Sequence, residues 1–115
     1  MIGFSQGACL AIDFALRLPF SIGGIVAIAG FIKFKERFVE EVSKESCDTP
    51  ILLMHGKQDN IIPIKAGKTA YNILHERGYP IYFESYNAKH KIPLKKMSLI
   101  NEFINQPINV VNTGI

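Results

Sequence analysis

Ser5 stands in the pentapeptide Gly3-Phe4-Ser5-Gln6-Gly7, a Gly-x-Ser-x-Gly pattern that begins two residues after Met1. A serine hydroxyl is a poor nucleophile at neutral pH. To attack an acyl carbon it needs an imidazole to take its proton and a carboxylate to orient that imidazole. Glycines on either side of a serine permit a sharp strand-to-helix turn that holds the hydroxyl clear of the backbone. The pattern by itself is weak, since a serine in this place also serves as an ordinary helix cap. The long apolar stretch that starts directly after Ser5 favours the turn.

Such a turn takes its partners in the chain order serine, acid, histidine, each on a loop that follows a strand. Asp13, Asp48 and Asp59 are the candidate acids. Asp13 falls on the outer face of the helix after Ser5. Asp48 precedes an apolar run and so belongs to the opposite end of the sheet. Asp59, in "HGKQDNIIP", follows that run and lies at the same end as Ser5; its bland alternative is an ordinary Asx turn. Among the histidines, His75 sits on the polar face of a helical stretch, and His55 closes a buried strand and precedes the acid. His55 therefore reads as a packed, hydrogen-bonded strand-end residue. His90, in "NAKHKIP", follows the next strand and is the candidate base. Ser5 and Asp59 are 54 residues apart, and Asp59 and His90 are 31 apart. Each interval holds at least one strand and one crossover, enough to return the chain to a common sheet edge.

The elements that must position these groups follow from hydrophobic patterning. Residues 1–4 read as a strand stub, and residues 6–18 as a helix with Gln6, Asp13 and Arg17 on one polar face and the remainder buried. "GGIVAIAG" at 23–30 and "PILLMHG" at 50–56 read as buried strands, and "PIYFESY" at 80–86 as another. The charges of "FIKFKERFVEEVSKESCD" alternate in sign, as in a solvated connection with some helix. Pro63 opens a helix over about 64–77 that Gly78 ends, with Gly67, Ala70, Tyr71 and Leu74 on one face. Pro93 opens a last helix with Met97, Ile100, Phe103 and Ile104 inward. Residues 106–115 form a tail, read as disordered or as a short edge strand through its two valines. The sum is an α/β fold: a mostly parallel sheet of about four strands with crossover helices, in a partial domain over residues 1–105.

With 115 residues, the chain suffices for one modest domain. Its 48% apolar and 20% charged content is that of a globular chain rather than a disordered one. The net charge of +3 is spread without a basic stripe, which argues against nucleic-acid binding. No apolar run has the length of a membrane span. The apolar N-terminal segment lacks a basic leader and is broken by Asp13 and Arg17, so it does not read as a signal peptide. A cytoplasmic protein is expected. Cys9 and Cys47 have neither disulfide-framework nor metal spacing, and no metal or cofactor is expected.

With these three stretches placed, the chain resembles the α/β-hydrolase superfamily, and within it the phospholipase/carboxylesterase family that includes acyl-protein thioesterases. "GFSQGA" is similar to that family's nucleophile turn, "PILLMHGKQDNIIP" to its acid loop and "YNAKHKIP" to its histidine loop, and the similarity runs from residue 1 to about residue 104. The resemblance implies Ser5 as nucleophile, Asp59 as orienting acid, His90 as base, the Gln6 backbone N–H as one oxyanion donor, and Gly3 and Gly7 as the glycines of the turn. It implies an ester or thioester substrate, small or carried on an acylated protein, and an acyl-enzyme intermediate. In two respects the chain departs from the family. Lys89 stands where the family places glycine, and an ammonium there disfavours a neighbouring imidazolium. The stretch that precedes the turn in the family, which carries a second oxyanion donor, has no counterpart in this sequence. The chain therefore reads as the carboxyl-terminal half of such an enzyme. Two readings follow: a hydrolase that is weak or inactive alone, with a separately encoded amino-terminal half as a candidate partner; or a non-catalytic remnant or small binding module that keeps the motifs.

Overall fold

The computed structural model describes residues 1–113. In chain order its elements are β1 (Ile2–Phe4), α1 (Gln6–Ala15), β2 (Ile25–Ile28), α2 (Lys35–Glu41), β3 (Ile51–Gly56), α3 (Ile64–Glu76), β4 (Ile81–Tyr86), a 3₁₀ turn (Leu94–Lys96), α4 (Met97–Asn105) and α5 (Pro107–Thr113). The strands make one sheet in the order β1-β2-β3-β4, and every pair is parallel. Parallel neighbours need crossovers; α1, α2 and α3 supply them on one face, and α4 and α5, which follow β4, cover the other. That is why β2 and β3 are apolar at nearly every position and buried throughout.

Two cores result. On one face, Ala8, Ile12 and Leu16 pack with Ile25, Phe38, Ile51 and Leu74, joining α1, α2 and α3 to the sheet. On the other, Val26, Leu52 and Met54 pack with Ile100, Phe103 and Val110 from α4 and α5. The register aligns Phe4 with Ile28, Ile28 with Met54, and Met54 with Glu84, so all four strands end at one edge. The loops after β1, β3 and β4 open there.

Several sequence expectations are corrected. Helix α1 is not apolar-buried outside its polar face: Leu10 is 69% and Phe14 58% exposed. At i, i+3, i+4 and i+7, Leu10, Asp13, Phe14 and Arg17 share a single outward stripe, which the charges marked and the two apolar residues also occupy. In α4, Ile100 and Phe103 face the core, whereas Met97 and Ile104 are exposed, because one helix against one sheet face buries only a narrow stripe. The residues after Pro93 first make a 3₁₀ turn before α4 begins. In α3, Gly67, Ala70, Ile73 and Leu74 are the buried set, and Tyr71 is half-buried and stacked on His75. Residues 107–113 are helical rather than a strand or a disordered tail. Pro107 starts the helix without needing an N–H, and fully buried Val110 anchors it on the sheet. The rest of that tail, residues 114–115, lies outside the described residues.

Candidate active site

The turn between β1 and α1 is built by close approach. Ser5 has φ 57° and ψ −117°, a conformation that non-glycine residues seldom adopt and that persists only when its surroundings hold it. Its N–H continues the sheet to the Ile28 carbonyl at 2.7 Å, and its carbonyl accepts from the N–H groups of Ala8 and Cys9 at 3.0 and 3.2 Å. A Cβ on Gly3 would come within 2.3 Å of the Gly7 carbonyl oxygen, so only glycine lets the helix start this near the strand. A Cβ on Gly7 would meet nothing within 4 Å. The two glycines of the motif therefore differ: Gly3 is required by contact and Gly7 is not. Gln6 is the first residue of α1, and the first N–H groups of a helix have no partner within it.

Asp59 follows β3 and its side chain is fully buried. Oδ1 accepts from the N–H groups of Ile61 and Ile62 at 2.9 and 2.8 Å, and Oδ2 accepts from His90 Nδ1 at 2.8 Å. Burial pushes the Asp59 carboxyl up, but the bonds from His90, Ile62 and Ile61 outweigh it and hold the group below the usual carboxylate range. An ionised carboxylate only accepts, so Nδ1 of His90 carries the proton and Nε2 is left as an acceptor. Ser5 Oγ lies 3.0 Å from that Nε2 and donates to it. Serine, imidazole and carboxylate thus form one continuous hydrogen-bonded line, with His90 only 15% exposed. The Phe4 ring stands 4.9 Å from the imidazole, tilted by 51°.

The acid and histidine loops are joined directly. Lys57 N–H donates to the Tyr86 carbonyl at 2.8 Å and Gln58 N–H to the Ala88 carbonyl at 3.1 Å. Gly56 makes this possible, because a Cβ there would lie 2.3 Å from the carbonyl oxygens of both Ala88 and Lys89. The buried Tyr86 hydroxyl is pushed up to about 12 by burial and then by the negative charge of Asp59. The other candidates fall elsewhere. Asp48 is exposed before β3, with its N–H on the Ser21 hydroxyl, and Asp13 pairs with Arg17 on the surface. His75 is exposed, and Lys89 is exposed on the histidine loop. His55 is buried, with Nε2 on the Ile62 carbonyl at 2.7 Å. Among the described residues, no three His, Cys, Asp or Glu side chains gather in a way that could hold a metal ion. A groove of about 530 Å³ starts at Gln6 and runs along α1 past Leu10, Phe31 and Phe34.

Sequence reasoning did not single out Gly56 or Gly67 for this site. Both carried a signal. Glycine inside a helix costs about 1 kcal/mol against alanine, so Gly67 within α3 marks a close approach, here to the His55 ring. Gly56 ends a fully buried strand, where a missing side chain likewise marks a neighbouring backbone.

The sequence and the fold match a known family. Residues 1–108 match the model of the phospholipase/carboxylesterase family, and the chain belongs to that family. It is 32% identical over 114 residues to acyl-protein thioesterase 1 of Kluyveromyces lactis, covering 94% of this chain and 49% of that protein. It is 33% identical over 87 residues to a probable inactive carboxylesterase of Oryza sativa subsp. japonica, covering 76% of this chain and 36% of the relative. The crystal structure of Arabidopsis thaliana SOBER1 superposes with a TM-score of 0.86 at 30% identity, covering 91% of this chain and 50% of that one. The four parallel strands and their helices are thus an α/β-hydrolase arrangement, and the chain spans about half the length of the curated relatives it matches, or less.

Proposed function

We propose that this chain carries the acyl-transfer machinery of a carboxylic-ester or thioester hydrolase, with Ser5 as nucleophile, His90 as base and Asp59 as orienting acid. The observation that carries the reading is the unbroken line Ser5 Oγ, His90, Asp59, at 3.0 and 2.8 Å. His90 Nε2 takes the Ser5 proton as Oγ bonds to the acyl carbon, and the buried Asp59 carboxylate stabilises the imidazolium that forms. The Gln6 N–H donates to the oxyanion. His90 then returns the proton to the departing alcohol or thiol, leaving Ser5 acylated. A water, deprotonated by His90, attacks the acyl carbon and releases the acid and Ser5. The groove beside Gln6 carries Leu10, Phe31 and Phe34 together with the charged Asp13, Arg17, Lys33, Arg37 and Glu41, and its apolar part favours a substrate with an apolar substituent.

In such hydrolases a second oxyanion donor comes from a loop that precedes the nucleophile, and residues 1–4 supply none. Residues 1–115 taken by themselves are therefore a feeble hydrolase in this reading, and a segment bearing the preceding half of the fold, in the same polypeptide or as a separately encoded partner, completes the site. A second reading, a non-catalytic module that keeps the motifs, is favoured by one observation: the matched rice relative is named as probably inactive. Hydrolysis of a short-chain aryl ester, with Ser5→Ala as control and a serine-reactive phosphonate in parallel, separates the two. Ser5-dependent labelling or turnover supports the hydrolase. Neither, in folded protein supplied with the preceding half of a relative, leaves the non-catalytic module.

A further inference from the structure

The hydrogen-bonded line from Ser5 ends at Asp59, but Asp59 is not the end of the polar structure. Ile62 donates its N–H to Asp59 Oδ1 at 2.8 Å and offers its carbonyl to His55 Nε2 at 2.7 Å. The same His55 Nε2 lies 3.6 Å from Asp59 Oδ2, the oxygen that receives His90. A carbonyl only accepts, so the His55 proton sits on Nε2 and the ring is held as that tautomer. Nδ1 is then an acceptor, buried and without a partner among the described residues. It faces α3, where a Cβ on Gly67 would come within 2.6 Å of it. The ring is therefore fixed from two sides, by the Ile62 carbonyl and by a helix backbone that lacks a side chain at the point of contact.

We propose that His55 is a positioning residue for Asp59. By holding the Ile62 carbonyl, it locks the turn from Asp59 to Ile62 in the form that presents two N–H donors to Oδ1 and aims Oδ2 at His90. This rests on the assignment of Asp59 and His90 above. A packed core residue would need only the volume of the ring; this role needs the Nε2 donor. Glutamine, whose amide nitrogen reaches about as far as Nε2, retains the donor, whereas leucine retains bulk without it. Gly67 acts on the same ring from outside the site, since Gly67→Ala must displace the imidazole while leaving every hydrogen-bonding group in place.

The test compares His55→Leu, His55→Gln and Gly67→Ala by proton NMR of the His90 Nδ1–H shared with Asp59, identified by its loss in Asp59→Asn. Aryl-ester kinetics are measured on the same samples. In His55→Leu and Gly67→Ala the shared proton signal is expected to broaden or vanish. kcat is expected to fall by as much as about 10²-fold, the scale of an ångström of misplacement, with KM unchanged. His55→Gln is expected to restore both. A native signal and native kcat in folded His55→Leu overturn the proposal, as does a His55→Gln no better than His55→Leu. Should His55→Leu fail to fold, a native signal in Gly67→Ala overturns it. The NMR arm decides even where turnover is too slow to measure. A native protein with no such signal, or one that keeps it in Asp59→Asn, instead sinks the Asp59–His90 assignment and the positioning role with it.

Discussion

Asp59 and the two loops that carry it and His90 are held by several contacts. Asp59 takes three hydrogen bonds, its loop is tied to the His90 loop by Lys57 and Gln58, and Gly56 lets the two backbones touch. Ser5 sits differently. Its turn rests on the three residues of β1, which pairs with β2 on one side and, among the described residues, has no neighbour on the other. Met1, Ile2 and Phe4 are 49%, 57% and 42% exposed, and Leu10 and Phe14 on α1 are exposed as well. The half that holds Asp59 and His90 is thus closely packed, while the half that holds Ser5 has, among the described residues, one open flank. Geometry can be correct at both, yet only one is braced by the chain itself. Unpaired N–H and C=O groups along an apolar edge also invite another strand.

The widest test of this contrast is activity. Residues 1–4 hold no second oxyanion donor for the proposed mechanism, and such a donor is worth about 10²–10³ in rate. Turnover of an aryl ester should be near background, and adding the amino-terminal half of a relative should raise it by about that factor. An unaided rate of around 10 s⁻¹, an ordinary enzymatic value, abolished by Ser5→Ala, would break the comparison, because the open flank would then cost nothing.

Stability should show the opposite bias. Gly56→Ala drives a Cβ into two carbonyl oxygens and is expected to cost roughly 3 kcal/mol, the upper range for single substitutions. Urea unfolding checks this, and a loss within error would mean that the two loops are not packed as described. The exposed β1–α1 surface should make the purified chain self-associate and bind apolar dyes. Burying a side chain such as Leu10 or Phe14 is worth about 1.5–3 kcal/mol, so Leu10→Gln with Phe14→Gln should weaken association. Sedimentation showing a dilution-resistant monomer without dye binding counts against an open flank.

Acid should loosen the braced half. Because the Asp59 carboxyl titrates below its unfolded value of about 3.9, its contribution to stability is fully present above that pH. The contribution is lost as pH falls through the lower, folded value. Denaturant midpoints followed downward from about pH 5 should therefore drop more steeply for the native chain than for Asp59→Asn. Parallel curves would remove the inferred stabilisation. The smallest effect is expected at Gly7. With nothing in reach of an added Cβ and a helical backbone, Gly7→Ala should be neutral or stabilising by up to about 1 kcal/mol. A loss comparable to Gly56→Ala would show that this flank is not open.

That Ser5, Asp59 and His90 meet at one sheet edge was legible in the chain because the signals are local. A glycine-flanked serine before an apolar run, an aspartate after "PILLMHG" and a histidine after "PIYFESY" each announce a loop at a strand's end. Parallel crossovers then leave few ways to arrange them. The strands were equally readable, since burial on both faces forces continuous apolar runs at 25–28 and 51–56. The partial burial of α1 and α4 was not, because an apolar residue beside a charge looks the same whether or not a neighbour covers it. Leu10, Phe14, Met97 and Ile104 are exposed for want of a packing partner among the described residues, and no local pattern records that.

Residue types and order determined by themselves the α/β class, the four strands and the three groups that could do acyl chemistry, because hydrophobic period and turn chemistry act over a few residues. Only the tertiary structure decided that Gly3 is required by contact and Gly7 is not, that Gly56 sits against the histidine loop, and that the ring of His55 is clamped between Ile62 and Gly67. Those are approaches of one backbone or ring to another across gaps of up to about thirty residues. Steric exclusion at that distance depends on how the elements dock, and docking is a property of the folded sheet rather than of any stretch of sequence.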